Sequence, residues 1–190
     1  QESAIGWIPK EWEVKQLVEL VHFQRGHDIV ESSFVEGDFP VISSGGIIGF
    51  HNEFTSRGPS VVVGRKGTIG KVHFVESDFW AHDTSLFATD LFGNEPLFIF
   101  YLCNHLDLAK YGTKSGSPSL NRNDIHPLAI GKPPLTEQKA IASRLNTCDN
   151  KISALSVEKM KLSNLKSGLM QDLLTGKVPV KVDPDELDHI

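Results

Sequence analysis

The stretch from Thr136 to Leu174 constrains the fold most strongly, because it contains no proline and a single glycine. Its apolar residues recur every three or four positions, and its first turn holds Glu137, which suits the positive end of a helix. We predict one uninterrupted helix, roughly 58 Å long at about 1.5 Å per residue. Gly176 lies just past Leu174, where a glycine commonly ends a helix.

The same stretch predicts a coiled-coil seam. With Leu145 at heptad position a, every d position is apolar, and Lys159 and Lys166 are the polar exceptions at a. The roughly 130 preceding residues form too small a domain to cover such a seam, so a partner helix is expected. An acidic partner, selection of an antiparallel register or simple helix solubility would each explain the two lysines. The residues predicted to mediate dimerisation are Ile141, Leu145, Cys148, Ile152, Leu155, Leu162, Leu169 and Leu173.

Residues 1–134 have a different character. Short apolar runs such as PVISSGGIIGF, TSLFATDLFG and HPLAIGKPP alternate with Gly, Ser, Asn and Pro clusters, which is typical of short strands joined by turns. One helix is predicted among them, capped by Asn94 and ending before Gly112. The predicted fold class is α/β (α+β): a domain of short twisted strands and few helices (1–134), a long coiled-coil helix (135–175) and a C-terminal tail (176–190).

The run VVVGRKGTIGKV, residues 61–72, places three glycines and three basic side chains after a predicted strand. It does not match a phosphate-binding P-loop, because five residues separate Gly64 from Gly70 and Val72 lacks the hydroxyl that reaches magnesium. The turn could instead expose backbone amides and basic side chains to phosphate. Two alternatives stay open: an enzyme that binds a nucleotide at the Gly64–Lys71 turn, and a coiled-coil scaffold that binds other proteins.

Composition narrows the function further. The net charge is -5, yet residues 1–60 carry 4 basic and 9 acidic side chains whereas residues 136–180 carry 7 and 4, so a local basic face is compatible with the total. Cys103 and Cys148 are far apart and the histidines lack ligand spacing, so we predict no disulfide, metal or cofactor. The longest apolar run, LFIFYLC, is too short to cross a membrane, and a reducing cytoplasm is expected.

Several motifs, in order, resemble one known family. They are GWIPKEWEVKQL (6–17), VVVGRKGTIGKV (61–72), FWAHDTSLF (79–87), SLNRNDIHPLAIGKPPLTEQKAIASRL (119–145) and LKSGLMQDLLTGKVPV (165–180). The chain is similar to the DNA specificity subunits of type I restriction-modification systems, whose full-length members hold two recognition domains and two long helices. Each motif is weak alone, but their order over nearly the whole chain is specific.

The resemblance implies a non-catalytic, half-length specificity subunit. One recognition domain would read half of a bipartite double-stranded DNA target, and two copies would pair through their helices. Separate modification (methyltransferase) and restriction subunits would carry out the chemistry. The chain agrees in lacking an Asn/Asp-Pro-Pro-aromatic methylation motif and a glycine loop for S-adenosylmethionine. A bacterial or archaeal cytoplasm is the implied location.

Candidate DNA contacts come from three polar segments. Arg and Lys side chains can bind DNA phosphates or guanine, and Ser and Asn side chains can form hydrogen bonds with either phosphates or base edges. Each segment has a competing structural explanation as a solvated turn. The predicted contacts are Arg65, Lys66 and Lys71 in the glycine turn, Lys114, Ser115, Ser117, Asn121 and Arg122 in the loop 111–124, and Ser43 and Ser44 in the turn after residue 42.

Overall fold

The computed structural model describes residues 1–113 and 116–180. These residues form two compact units, Gln1–Arg144 and a second that begins at Leu145. The strands are β1 Glu2–Ser3, β2 Gly6–Trp7, β3 Glu13–Gln16, β4 His22–Arg25, β5 Phe39–Ser43, β6 Gly46–His51, β7 Ser60–Gly64, β8 Val72–Val75, β9 Trp80–Ala81, β10 Ser85–Asp90 and β11 Ala129–Lys132. The α-helices are α1 Pro96–His105, α2 Arg122–Ile125 and α3 Leu135–Leu174.

The first unit is built on a four-stranded antiparallel sheet in the order β4-β10-β7-β8. Successive side chains of a strand point to opposite faces, and β7 is apolar on both. Val61 and Val63 pack in one core cluster, with Phe98 and Ile99 of α1. Val62 packs in a second cluster on the other face. A strand buried on both faces reads as a continuous apolar run, which explains the sequence SVVVG.

A smaller sheet, in the order β6-β5-β9, covers the second face of the central sheet. Strand β5 pairs antiparallel with β6 and parallel with β9. Ile42 of β5 and Ala81 of β9 meet Val62 and Phe87 of the central sheet in the second core cluster. The unit therefore has three layers: the small sheet, the central sheet and α1. The remaining strands form two-stranded pairs, β1-β2 and β3-β11.

The helix predicted between Asn94 and Gly112 is real but shorter than predicted. It ends at His105, and Asp107 adopts a left-handed backbone (φ 48°) before a 3-10 turn at Leu108–Tyr111. The predicted cap was also wrong. The N-cap residue is Glu95, and the Asn94 side chain instead donates to the carbonyls of Leu20 and Leu91.

A buried glutamine fixes the start of the long helix α3. The Gln138 side chain is fully buried and donates to Asn94 Oδ1 (2.8 Å) and to the Pro133 carbonyl (3.0 Å), while its Oε1 accepts from the Glu95 amide (3.0 Å). Trp12 Nε1 donates to Glu137 Oε2 at 3.0 Å. Glu137 and Gln138 of the segment PPLTEQ (133–138) thus anchor the helix. The buried Gln138 amide is stable there because both its donors and its acceptor are paired.

Strands followed by one long C-terminal helix confirm the predicted fold class. Helix α3 covers the predicted stretch and is about 60 Å long at about 1.5 Å per residue. Ile141, predicted in the seam, instead packs against the core of the first unit, and Ala142 is buried there. From Leu145 onward the predicted seam residues are exposed. Of the predicted tail, 176–180 is described and 181–190 lies outside the described residues.

Candidate nucleic-acid interface

An open polar cleft of about 850 Å³ lies at the end of the central sheet where β4 and β7 end and β10 begins. Its position follows from strand pairing, because Leu86 of β10 lies opposite both Arg25 of β4 and Val63 of β7. A segment before and at α2 closes the opposite wall. The described lining consists of Gln24, Arg25, Gly26, His27, Asp28, Arg65, Leu86, Ser119, Leu120, Asn121, Arg122 and Asn123.

The cleft is locally cationic although the chain carries a net charge of -5. Arg25, Arg65 and Arg122 line it, and Asp28 is the acidic residue among the described lining. A concave surface of one sign concentrates the field and attracts oppositely charged ligands. Glutamine and asparagine side chains sit among the arginines, so the same surface offers both charge and directional hydrogen bonds.

Arg25 is held by a carboxylate. Its Nη2 donates to Asp83 Oδ2 at 2.8 Å, and the Arg25 side chain is 55% exposed whereas that of Asp83 is 18% exposed. The approach depends on Gly26, whose amide donates to the Ser85 carbonyl at 3.0 Å. A Cβ at position 26 would overlap the carbonyls of Ala81 and His82. The glycine thus lets β4 run close enough for Arg25 to reach Asp83.

Arg65 differs from Arg25 in its burial and in its hydrogen-bond partner. It is half-buried, and its Nη1 donates to the Asp83 carbonyl at 3.4 Å. Burial, and then the neighbouring Arg25 guanidinium, lower the pKa of Arg65 from its ordinary value, while Asp83 acts in the opposite direction. An arginine remains protonated at neutral pH despite such a shift, so Arg65 keeps its charge in the cleft.

The glycine turn after β7 holds neighbouring segments together through its backbone. The Arg65 and Lys66 amides donate to the Thr84 carbonyl (2.8 and 3.0 Å), and the Arg65 carbonyl accepts from the Leu120 amide (2.8 Å). Within the turn, the amides of Gly64 and Gly70 donate to the carbonyls of Lys71 and Gly64 (2.7 and 2.8 Å). The expectation of amides exposed to phosphate was therefore wrong for these residues, because the fold already uses them.

Gly70 explains why the turn needs glycine. It has a positive φ of 76°, and a Cβ there would overlap the backbone of Ala109. The glycine at this position thus serves folding and close packing. What the turn contributes to the cleft is the Arg65 side chain and the anchoring of its walls.

The other wall of the cleft is organised by α2. Asn121 caps this short helix by accepting from the Asn123 amide at 3.0 Å, and Arg122 Nη1 donates to the Phe23 carbonyl at 3.4 Å. His126 Nε2 accepts from the Phe23 amide at 3.1 Å, so that nitrogen carries no proton. Burial, His22 and Arg122 all lower the pKa of His126 from its ordinary value. The neutral imidazole is thus part of how this wall attaches to β4.

The cleft gathers only some of the residues predicted from sequence. Arg65, Asn121 and Arg122 line it. Lys114 and Ser115 lie outside the described residues, and Ser117 is exposed in the loop whose base is closed by Thr113 and Ser119. The remaining candidates, which the structure does not bring into the cleft, are Lys66, Lys71, Ser43 and Ser44.

Three of those outlying candidates serve the turn between β5 and β6. Ser43 and Ser44 are buried, and Ser43 Oγ donates to the Gly46 carbonyl at 2.9 Å. Lys71 Nζ donates to the Gly45 carbonyl at 2.8 Å. The Ser43 bond closes the β5–β6 turn, and the Lys71 bond ties the glycine turn to it.

Sequence reasoning missed six polar residues of the cleft: Gln24, Arg25, His27, Asp28, Ser119 and Asn123. Arg25 matters most among them because it is an exposed cation beside Arg65. A usable signal was present, since the polar run QRGHD directly follows the apolar start of β4. His82, Asp83 and Thr84 form the neighbouring turn, in which Asp83 Oδ2 accepts from Arg25 and His82 Nδ1 lies 2.8 Å from Thr84 Oγ1.

Two other classes of site are absent from residues 1–113 and 116–180. No group of three or more His, Cys, Asp or Glu side chains there could hold a metal ion. No helix in this part of the chain is long and apolar enough to cross a membrane.

The second unit presents an unpartnered apolar surface on α3. Leu155, Leu162 and Leu169 are 53%, 59% and 48% exposed. Leu165 and Met170 add to the same stretch at 59% and 49%. Contiguous exposed apolar side chains of this kind are typical of interaction surfaces.

Comparison with known proteins gives a consistent result. A family model described as type I restriction modification DNA specificity domain matches residues 9–163. The chain is 26% identical over 211 residues to the type I restriction enzyme MjaVIII specificity subunit of Methanocaldococcus jannaschii, covering 95% of this chain and 49% of that protein. The chain thus spans about half the length of the curated relatives it matches.

Two solved structures share its fold. The S subunit of the type I restriction-modification system from M. genitalium matches with a TM-score of 0.64 at 17% identity, covering 94% of this chain and 48% of that one. A second, solved in a study of complex assembly and conformational transition of the type I R-M system, matches with a TM-score of 0.70 at 15% identity, covering 88% and 46%. Identities this low establish the fold alone.

Proposed function

This chain belongs to the type I restriction modification DNA specificity domain family, and from that membership we propose that it recognises one half of a bipartite double-stranded DNA target. The observation that carries the proposal is the cleft lined by Arg25, Arg65 and Arg122 in a chain of net charge -5. Nucleic-acid binding depends on such local positive potential rather than on the total charge.

The cleft has the residue types that DNA recognition requires. Arginine side chains bind phosphates and guanine, and asparagine and glutamine pair with adenine edges. We assign DNA contact to Arg65, Asn121 and Arg122, which the sequence predicted, and to Arg25 and Gln24, which the structure adds. The QRGHD run (24–28) and α2 supply side chains from two sides of the cleft, which suits contact with the base edges in a DNA groove.

Pairing of two recognition domains is assigned to α3. The exposed apolar residues Leu145, Ile152, Leu155, Leu162 and Leu169 follow the predicted heptads, and a second copy of the helix would cover them. Lys159 and Lys166 interrupt the seam at a positions, which favours a specific register over indiscriminate association. Two identical halves related by two-fold symmetry would read a palindromic bipartite site.

The chain is proposed to act without catalysis of its own. In this account it directs separate modification and restriction subunits, and the modification subunits dock on the long helix. Support comes from the family match and from the composition of the cleft, whose described lining is suited to binding. A protein-interaction scaffold remains the rival, and it predicts no dependence on DNA sequence.

A salt titration tests the cleft directly. Arg65→Ala with Arg122→Ala should weaken duplex binding and reduce the slope of log affinity against log salt by about two, one for each phosphate that no longer meets an arginine. Arg57→Ala, an exposed arginine outside the cleft, is the matched control. The chain would be assayed with a type I modification subunit. An unchanged affinity and slope in the double variant would remove the cleft from the DNA interface.

A further inference from the structure

We propose that Arg25 reads a guanine in the DNA target and that Asp83 is its positioning residue, while Arg65 and Arg122 bind the DNA backbone. This inference rests on the proposed function and divides the cleft arginines by role. The criterion is the partner that each guanidinium has in the free protein, because that partner determines both its orientation and the net charge that it offers to DNA.

The three arginines have different partners. Among the described residues, Arg25 is the cleft arginine that forms an ion pair, with Asp83 Oδ2 at 2.8 Å. Arg65 donates to the Asp83 main-chain carbonyl and Arg122 to the Phe23 carbonyl, both at 3.4 Å. Carbonyl groups leave the positive charge of an arginine intact, whereas the carboxylate offsets that of Arg25.

Because Asp83 offsets the charge of Arg25, this guanidinium binds an uncharged base edge more readily than a phosphate group. A phosphate oxygen brought to Arg25 would also approach the Asp83 carboxylate, and two like charges repel at such distances. The O6 and N7 atoms of guanine are uncharged acceptors and carry no such penalty. Among the described residues Arg65 forms no ion pair, although the nearby Asp83 acts on it through space, and its half-buried guanidinium suits a phosphate clamp.

Orientation supports the same division. Asp83 lies in a tight turn in which the Ser85 amide donates to the His82 carbonyl at 2.9 Å, and its side chain is only 18% exposed. A carboxylate fixed in this way holds one edge of the Arg25 guanidinium and leaves other N–H groups directed elsewhere. Because the fork is already oriented, less side-chain entropy is lost when it binds a base edge.

The exposure of Arg25 also fits a contact with a base. The Arg25 side chain is 55% exposed although its guanidinium is bound to Asp83, so the group is accessible from the cleft. Its neighbour Gln24 is also exposed and lines the cleft. Base edges are reached by side chains that project from a rigid element, and Arg25 is the last residue of β4.

The test is selection of duplexes from a random pool by the full chain together with a type I modification subunit. Wild type should enrich a motif. Arg25→Ala should lose the preference for guanine at one base position, by roughly 5- to 150-fold, the range for one bidentate base contact. Arg25→Lys should lose most of it as well, because an ammonium group cannot make the bidentate contact.

Variants of the neighbouring residues separate base reading from backbone binding. Asp83→Asn keeps the shape of the side chain but removes its charge, so the guanine preference should weaken while binding to all sequences gains affinity. Arg65→Ala should leave the motif unchanged and lower affinity uniformly, with a salt slope smaller by about one. Arg57→Ala should match wild type. Thermal melting of each variant checks that it is folded.

The outcomes are distinguishable. A wild-type motif that Arg25→Ala and Arg25→Lys both preserve would overturn the role of Arg25 and leave the proposed function standing. Loss of a base preference in Arg65→Ala with Arg25→Ala unaffected would reverse the assignment. Failure of the wild-type complex to enrich any motif would sink the proposed function itself, and the role of Arg25 with it.

Discussion

Gln138 should be the polar residue whose loss most damages the junction between the strands and α3. Its side chain is fully buried and has three hydrogen bonds, to Asn94 Oδ1, the Pro133 carbonyl and the Glu95 amide. Gln138→Leu preserves the approximate volume and leaves those three groups without their partner. An unsatisfied buried group costs about 1–3 kcal/mol, and partial relaxation reduces the sum, so a loss of about 3–5 kcal/mol is expected.

Urea unfolding followed by tryptophan fluorescence measures this loss, because Trp12 donates to Glu137 beside the junction. Gln171→Leu, at an exposed position of the same helix, is the matched control and should change the unfolding free energy by less than about 0.5 kcal/mol. A loss below about 1 kcal/mol for Gln138→Leu would refute the reasoning, because the three partners would then be satisfied without the glutamine.

Three further predictions concern the seam, the cleft wall and the glycine turn. Leu155→Glu with Leu162→Glu should convert a dimer to a monomer in light scattering, and an unchanged mass would mean that the seam binds something other than a second copy. Because the pKa of His126 is lowered, its neutral form stabilises the fold above the ordinary value of 6.5, and this stability is lost as pH falls through the lowered value. His126→Gln should therefore flatten the dependence of unfolding free energy on pH below about 6.5, and an unaltered pH profile would contradict the assignment. Gly70→Ala should lower the free energy of unfolding in urea more than Gly93→Ala does. Both glycines have a positive φ (76° and 73°), so the backbone strain is matched, but only a Cβ at position 70 would meet neighbouring backbone. Equal losses for the two variants would mean that the contact at position 70 relaxes freely.

Local patterns were sufficient to predict the fold class and its most regular elements. The long helix is set by periodicity and the absence of proline, and the SVVVG strand by a continuous apolar run, so both could be read from neighbouring residues. The end of α1 could not, because it depends on the left-handed backbone at Asp107. The role of Asn94 could not be predicted from local sequence either. Its side chain does not cap α1 and instead accepts from Gln138, which is distant in sequence.

The candidate site was harder to predict for the same reason. Arg65, Asn121 and Arg122 were recognisable as polar residues in turns, whereas Arg25 belongs to the cleft only because β4 pairs with β10 and Gly26 permits a close approach to His82. Ser43 and Ser44 have the right chemistry but are buried, and burial depends on tertiary packing. Residue type indicates what a side chain can bind, and the fold determines whether it is accessible.

Sequencing of methylated sites in cells that express this chain with a modification subunit tests the central claim most directly. Identical halves that pair through α3 predict methylation at a bipartite palindrome, with two inverted copies of one half-site separated by a fixed spacer. Methylation that depends on the chain but falls at an asymmetric site would contradict self-pairing. If methylation requires the chain but shows no sequence motif, or does not change when the chain is omitted, the proposal that this protein specifies a DNA sequence is wrong.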